Sequence, residues 1–207
     1  SFTSPSPNGL STQKVVDIDL YGKADYAYAG DVDGHMWKFD LTNDTASLLM
    51  TTDSNQSITM APQVMPHPGG GYMIVFVTGK LFTADDQRDA STHYAYGVWD
   101  DALAFQSASR TGIVTQSLTE YTYGSGSAAV RVRIASNTEP NWTTTKGWKT
   151  ALPIGGERLL GGDSTIISQG VFRFLSSNPT INSTSAVPGE NWWMELNPLT
   201  VGASGVN

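Results

Sequence analysis

The 207-residue sequence predicts an all-β protein and, more specifically, a β-propeller. Short segments in which apolar and polar residues alternate recur along the chain, and clusters of turn-forming residues separate them. No convincing long amphipathic helix interrupts this pattern. A faint repeat, MWKFDLT at 36–42 and WWMELNPLT at 192–200, favours a propeller over a β-sandwich, which stays open as the alternative.

The predicted strands differ in how they meet solvent. YMIVFVTG at 72–79 is a continuous apolar run bounded by glycines, as expected of a strand buried on both faces. Val130, Val132 and Ile134 alternate with two arginines, so we expect the arginine face to be solvated. The other predicted strands lie at 36–41, 93–100, 170–177 and 192–196.

Glycine-rich turns separate these strands. They fall at Asn8–Gly9, Asp33–Gly34, 69–71, 124–126, 155–156 and 161–162. A short helix is expected within Asp85–Ala90 or Ala102–Ser107. Because a propeller blade takes about 40–50 residues, a chain of this length would supply about four blades.

Composition restricts the possible partners. The net charge is −7, and all aspartates but one lie within residues 1–101, so nucleic acid is not an expected partner. The absence of cysteine excludes disulfides and thiolate metal sites. No run approaches the roughly 18 apolar residues of a membrane helix, so membrane insertion is not expected. We expect a linker at 1–8, one domain at 9–202 and a flexible tail at 203–207, within a natural protein that is longer at its start.

An aspartate-rich segment, DIDLYGKAD at 17–25, is the main candidate site. An EF-hand-type calcium loop takes side-chain oxygens at positions one, three, five and nine, a glycine at six and a backbone carbonyl at seven. Asp17, Asp19, Asp25 and Gly22 match these positions, and the carbonyl of Lys23 is available at the seventh.

The fifth position is the exception, because Tyr21 stands where an acidic or amide residue is usual. Water or the Tyr21 carbonyl would have to fill this place. Tyr28 also replaces the bidentate glutamate of position twelve, which predicts a weak affinity of about 0.1–1 mM. The alternative is an aspartate-rich hairpin turn whose carboxylates bond nearby backbone amides. The residues leave both open, whereas Asp31, Asp33 and Gly34 favour a plain hairpin turn.

In their order, several motifs resemble the C-terminal domain of the PilC/PilY family of type IV pilus tip-associated proteins. The resemblance covers about residues 9–202. It is carried by DIDLYGKADYAYAGDVDGHMWKFDL at 17–41, APQVMPHPGGGYMIVFVTGKLFTADD at 61–86, YAYGVWDD at 94–101, KGWKTALPIGGERLLGG at 146–162, FRFLSSNP at 172–179 and ENWWMELNPLTVG at 190–202.

The resemblance implies a modified seven-bladed propeller, of which this chain supplies part, in an exported protein at the outer membrane surface or pilus tip. It implies pilus assembly, opposition to retraction during twitching, and adhesion to host or abiotic surfaces. The implied partners are minor pilins and other pilus tip components. It also implies calcium in the loop, with Asp17, Asp19 and Asp25 as ligands, the Lys23 carbonyl beside them and Tyr21 at the fifth position.

Other functions have weaker support in the sequence. No catalytic residue and no organic cofactor site is predicted, so we expect a protein without enzymatic activity. A quinoprotein-type dehydrogenase propeller and a carbohydrate-binding module are the alternatives. The three histidines are expected to be exposed in turns, Glu157–Arg158 to hold a loop, and Trp142 to be the best candidate for an exposed ring among mostly buried tryptophans.

Overall fold

The computed structural model describes residues 8–18, 20–101, 111–160, 165–179 and 190–202. Within them the chain is almost entirely β-structure, joined by one short helix, α1 (Ala84–Arg88), and two 3-10 turns at Asp53–Asn55 and Gly126–Ala128. The strands are β1 (Lys14–Val16), β2 (Tyr26–Gly30), β3 (His35–Asp40), β4 (Thr45–Thr51), β5 (Gln63–Pro66), β6 (Tyr72–Val77), β7 (Tyr94–Asp100), β8 (Gly112–Gln116), β9 (Leu118–Tyr123), β10 (Val130–Ala135), β11 (Thr145–Ala151), β12 (Arg158–Leu159), β13 (Thr165–Ser168), β14 (Val171–Ser177) and β15 (Asn191–Leu196).

Four sheets are formed by these strands. The first is an antiparallel meander in the order β1-β2-β3-β4, the arrangement of a propeller blade. The second has the order β5-β6-β7-β11-β8, in which β8 runs parallel to β11. The hairpin β9–β10 is the third, and in the fourth β14 pairs with β12 and β13 on one side and β15 on the other. All six strands predicted from the sequence are present, and α1 overlaps the first of the two segments predicted to be helical. The second, 102–107, lies outside the described residues.

Strand β6 is the centre of the packing. Its odd-numbered residues Met73, Val75 and Val77 enter one core cluster with the fourth sheet, while Ile74 and Phe76 enter a second cluster with the first sheet. Successive side chains on a strand point to opposite faces, so a strand between two sheets must be apolar throughout. The predicted burial on both faces is confirmed.

The faint sequence repeat has a structural counterpart. Asp40, directly at the end of β3, accepts hydrogen bonds from the amides of Thr42 and Asn43 at 3.0 and 2.9 Å. Asn197, directly after β15, accepts equivalent bonds from Leu199 and Thr200 at 2.9 and 3.3 Å. In both copies a short polar side chain closes the turn that ends an aromatic strand.

The predicted solvation of the arginine face of β10 is right for Arg131, whose side chain is 41% exposed, and wrong for Arg133, whose side chain is 1% exposed. On the opposite face Val130 and Ile134 are 58% and 49% exposed. The alternation identifies the strand but does not say which side chains turn inward. Arg133 turns inward because a carboxylate and an aromatic ring from other strands meet it.

Two further expectations about exposure are also wrong. His67 and His93 are buried rather than solvated in turns. Trp142 is partly buried, because its ring packs edge-on against His67 and Trp99 at centroid distances of 4.7 and 5.8 Å. Of the six tryptophans, Trp148 and Trp99 belong to the core, Trp142 and Trp192 are partly buried against it, and Trp193 is exposed.

Glu157 and Arg158 have the predicted structural role. The guanidinium of Arg158 is fully buried and donates to the carbonyl oxygens of Gly156 at 2.8 Å and Asp86 at 2.7 Å. It also donates to the carbonyl of Asp89. One side chain therefore ties helix α1 and its following turn to the start of β12.

In the part of the chain that the structure describes, no helix is long and apolar enough to cross a membrane.

Candidate functional site

The aspartate-rich loop connects β1 to β2 at the edge of the first sheet. Its two ends meet where the amide of Asp25 donates to the carbonyl of Val16 at 2.8 Å. The carbonyl of Asp25 in turn accepts from the amide of Leu41 at 2.8 Å, just past β3. Residues 17–25 therefore project from a hairpin whose base is fixed by backbone hydrogen bonds.

Asp17 organises the first half of this loop. Its Oδ1 accepts from the amide of Leu20 and its Oδ2 from the amide of Gly22, both at 2.8 Å. Gly22 has a φ of +80°, a left-handed conformation that glycine adopts without steric cost. The sharp turn required at the sixth position of a calcium loop is thus present at the predicted residue.

Asp25 turns back toward the same half of the loop. Its Oδ2 accepts from the amide of Ile18 at 2.7 Å, so the carboxylates of Asp17 and Asp25 both face the loop's own backbone. Tyr21 is 87% exposed and Lys23 is also exposed. Asp19 lies outside the described residues.

The donor chemistry of this loop fits a hard cation. A carboxylate oxygen has two lone pairs, so it can accept one amide hydrogen bond and still coordinate a metal. Among the described residues, however, no three acidic, histidine or cysteine side chains come together as a metal-binding group. A calcium ion here would need further oxygens from Asp19, from backbone carbonyls or from water. The hydrogen bonds equally match the aspartate-rich turn that the sequence leaves open.

The loop lies beside the boundary between the first and second sheets. Tyr72, at the start of β6 in the second sheet, responds to the charge of the loop. Burial raises the pKa of Tyr72, and negative charge on Asp25, with Tyr26 and Asp17, raises it further. A small cleft of about 260 Å³ adjoins the loop, lined by Ile18, Asp25, Tyr26, Asp40, Thr42 and Asn43. A change in the loop's charge would therefore be felt at the junction of two sheets.

Asp31 belongs to the plain hairpin turn, as predicted. The amide of Gly34, whose φ is +84°, donates to the Asp31 carbonyl at 3.2 Å. The buried Asp31 carboxylate accepts from Asn8 Nδ2 at 2.7 Å, from Trp37 Nε1 at 2.8 Å and from the amide of His35 at 2.8 Å. Burial alone would raise the pKa of Asp31, but these hydrogen bonds hold it below 3.8.

Asp31→Asn is expected to destabilise the protein by about 2–3 kcal/mol at pH 7, because an amide cannot accept from all the donors that surround the carboxylate. The folded-state pKa is lowered, so this stabilisation is complete above pH 3.8 and is lost as the pH falls further. Urea unfolding at pH 7 and pH 3 measures the difference. Asp44→Asn, at an exposed turn residue, is the control, and equal unfolding free energies for the two variants at pH 7 would contradict the prediction.

Known proteins share this architecture. A family model described as the PilY1 beta-propeller domain matches residues 3–48 and 43–125. The crystal structure of the Pseudomonas aeruginosa PilY1 C-terminal domain superposes with a TM-score of 0.76 at 28% sequence identity, covering 97% of this chain and 49% of that one. The predicted β-propeller fold is thereby confirmed.

Curated relatives give the same result. The type IV pilus biogenesis factor PilY1 of Pseudomonas aeruginosa strain PAO1 is 32% identical over 245 aligned residues, which cover 95% of this chain and 21% of the relative. A PilY1 homolog of Xylella fastidiosa is 26% identical, with 95% and 14% covered. The chain thus spans about a fifth of the length of the first of these relatives.

Proposed function

The chain belongs to the PilY1 β-propeller family, and from this premise we propose that it serves type IV pilus biogenesis as part of a longer, non-enzymatic assembly factor and tip-associated adhesin. The observation that carries the proposal is the match to a PilY1 C-terminal domain over nearly the whole chain. Minor pilins at the pilus tip and a host or abiotic surface are the proposed partners, in an exported protein. The relatives reported above are named as pilus biogenesis factors, so the quinoprotein alternative has less support.

Removal of residues 9–202 from the full-length protein tests this proposal. We expect cells carrying the deletion to lose surface pili and twitching, because the propeller would be missing from the assembly factor. Electron microscopy counts the pili, and immunoblotting checks that the remainder of the protein is still made. Normal piliation and twitching in the presence of that remainder would contradict an assembly role.

We also propose that residues 17–25 bind calcium through Asp17, Asp19 and Asp25, with the Lys23 carbonyl at the seventh position. The inward-facing carboxylates of Asp17 and Asp25 and the left-handed Gly22 support this assignment. The Tyr21 side chain is exposed, so its carbonyl or a water would supply the fifth ligand.

Calcium is expected to bind with a dissociation constant of about 0.1–1 mM. At ten times that concentration it would stabilise the fold by about 1.4 kcal/mol and raise Tm by about 3–6 °C. Calorimetric titration and thermal melts measure both. Asp17→Asn and Asp25→Asn each keep one accepting oxygen for the loop amides but remove the charge, so both should abolish binding, while Asp44→Asn should not. Binding that survives in both loop variants would place the metal elsewhere, and no binding at all would leave the loop as a turn.

Calcium in this loop is further proposed to regulate pilus retraction. The charges of Asp17 and Asp25 act on Tyr72 in the second sheet, so a bound cation would change the charge that this sheet meets. A ligand shifts a conformational equilibrium only when it binds the two states differently. Pilus numbers in wild-type cells should therefore respond to calcium depletion, and those in Asp17→Asn cells should not.

A further inference from the structure

A second cleft, remote in sequence from the aspartate-rich loop, lies between strands β10 and β15. Its volume is about 390 Å³, and residues 131–135 and 192–196 line it. Sites that hold small organic ligands have volumes of about 300–1,000 Å³ and combine apolar walls with a few fixed polar groups. This cleft has both.

The apolar wall is provided by Trp193. Along β15, Met194 and Leu196 enter the core, while Trp193 points the other way and is 60% exposed. Its indole nitrogen donates to Glu195 Oε1 at 3.3 Å, and Arg173 Nε donates to the same oxygen at 2.8 Å. The ring is therefore held in one orientation beside a carboxylate and a guanidinium.

The opposite wall has a second fixed group, the guanidinium of Arg131. It donates to Glu120 Oε1 from Nε at 2.9 Å and from Nη2 at 2.6 Å, and to Glu190 Oε1 from Nη1 at 2.6 Å. Arg131 and Glu190 both remain partly accessible. The cleft thus presents a planar donor whose position is set by its bonds to these two carboxylates, while Glu195 is the acceptor that lines the cleft.

These charges are mutually compensated. Arg131 is paired with Glu120 and Glu190, and Arg173 with Glu195. Arg133, deeper in the cleft, is paired with Glu157. An anionic ligand would meet carboxylates and a cationic ligand would meet guanidinium groups, so neither gains a net attraction here. A neutral, hydroxyl-rich ligand can donate to the carboxylates, accept from the guanidiniums and lay an apolar face on the indole ring.

We propose that the cleft between β10 and β15 binds a neutral saccharide, with Trp193 as the stacking platform and Arg131 and Glu195 as hydrogen-bonding groups. The proposal does not depend on a role in pilus biogenesis.

An extended peptide is the competing occupant, since β10 and β15 could each offer a strand edge to it. Contacts across the cleft disfavour this. The bond from Arg131 joins β10 to Glu190, directly before β15, and the Arg133 guanidinium lies 3.7 Å from the centre of the Trp192 ring. A third strand inserted between them would have to break both contacts.

The test is saturation-transfer NMR with a panel of neutral oligosaccharides built from glucose, galactose, mannose, fucose and N-acetylglucosamine, at up to about 10 mM. We expect saturable binding that Trp193→Ala weakens about tenfold, the loss of roughly one aromatic contact, and that Trp193→Tyr largely retains. Tyr123→Ala, at an exposed aromatic residue that does not line the cleft, is the matched control and should bind as the wild type does.

Three results would overturn the proposal. The first is that no neutral sugar of the panel binds saturably. The second is that Trp193→Ala binds as tightly as the wild type. The third is that only sialylated or sulfated sugars, or an uncharged decapeptide, bind. Because Trp193 is mostly exposed, Trp193→Ala should stay folded, and thermal melts check this. Glu195→Gln provides a second variant, expected to weaken binding without removing the ring.

Discussion

Arg133→Met is expected to destabilise the protein by about 3–5 kcal/mol, because it leaves the carboxylate of Glu157 buried without its counter-ion. The two side chains are 1% and 0% exposed, and they form a bidentate pair with nitrogen–oxygen distances of 2.5 and 2.9 Å. Ser176 Oγ also donates to Glu157, and the ring of Trp192 covers the guanidinium. The pair thereby joins the β9–β10 hairpin to the start of β12 and to β14.

Urea unfolding at pH 7 measures this loss. Arg173→Met is the matched control, because its partner Glu195 is substantially exposed and such pairs contribute about 0–1 kcal/mol. The double variant Arg133→Met with Glu157→Leu should regain much of the lost stability, since it removes both buried charges and fills their volume with apolar groups. If Arg133→Met unfolds with the same free energy as Arg173→Met, the pair is not the anchor of this hairpin.

His93 is expected to make the protein lose up to about 3 kcal/mol of stability between pH 6.5 and pH 4. Burial, and then the positive charge of Arg158, lower its pKa from 6.5 to about 4, while Asp89 opposes them. The ring is 4% exposed, and its Nδ1 lies 3.2 Å from Thr78 Oγ1.

The sign follows from the direction of the shift. Below pH 6.5 the unfolded chain gains a proton at His93 that the folded chain accepts only near pH 4, so acid favours unfolding across this interval. His93→Gln cannot take up that proton, and the stability difference between wild type and this variant should shrink as the pH falls through the interval. NMR titration of the His93 ring protons measures the folded-state pKa directly, and a value at or above 6.5 would contradict the expectation.

In the candidate calcium loop, local sequence predicts the conformation of the backbone but not whether a metal binds. The spacing of Asp17, Gly22 and Asp25 predicts a turn at Gly22, which is present, and the carboxylates of Asp17 and Asp25 both accept hydrogen bonds from the loop's own amides. These depend on contacts within nine residues, which the chain order fixes. The presence of a metal depends on oxygens in three dimensions, so spacing alone leaves the calcium site and the plain turn as alternatives.

Burial of polar groups was not predictable in the same way. His67 and His93 occupy turn-like sequence yet are covered by other strands, and Trp142 is covered by His67 and Trp99 from distant positions in the chain. No local signal marks such residues, because their partners lie far along the sequence.

The amino-acid sequence by itself determined six of the fifteen strands in the described part of the chain, several of its turns and that strand β6 is buried on both faces. Each of these follows from alternation, turn chemistry or an unbroken apolar run, which are local properties. Only the tertiary structure decided which face of β10 turns inward and that Trp193 lines a cleft. A period of two assigns residues to two faces without naming the buried one, and here a guanidinium can be the buried group because Glu157 and Trp192 arrive from other strands to meet it.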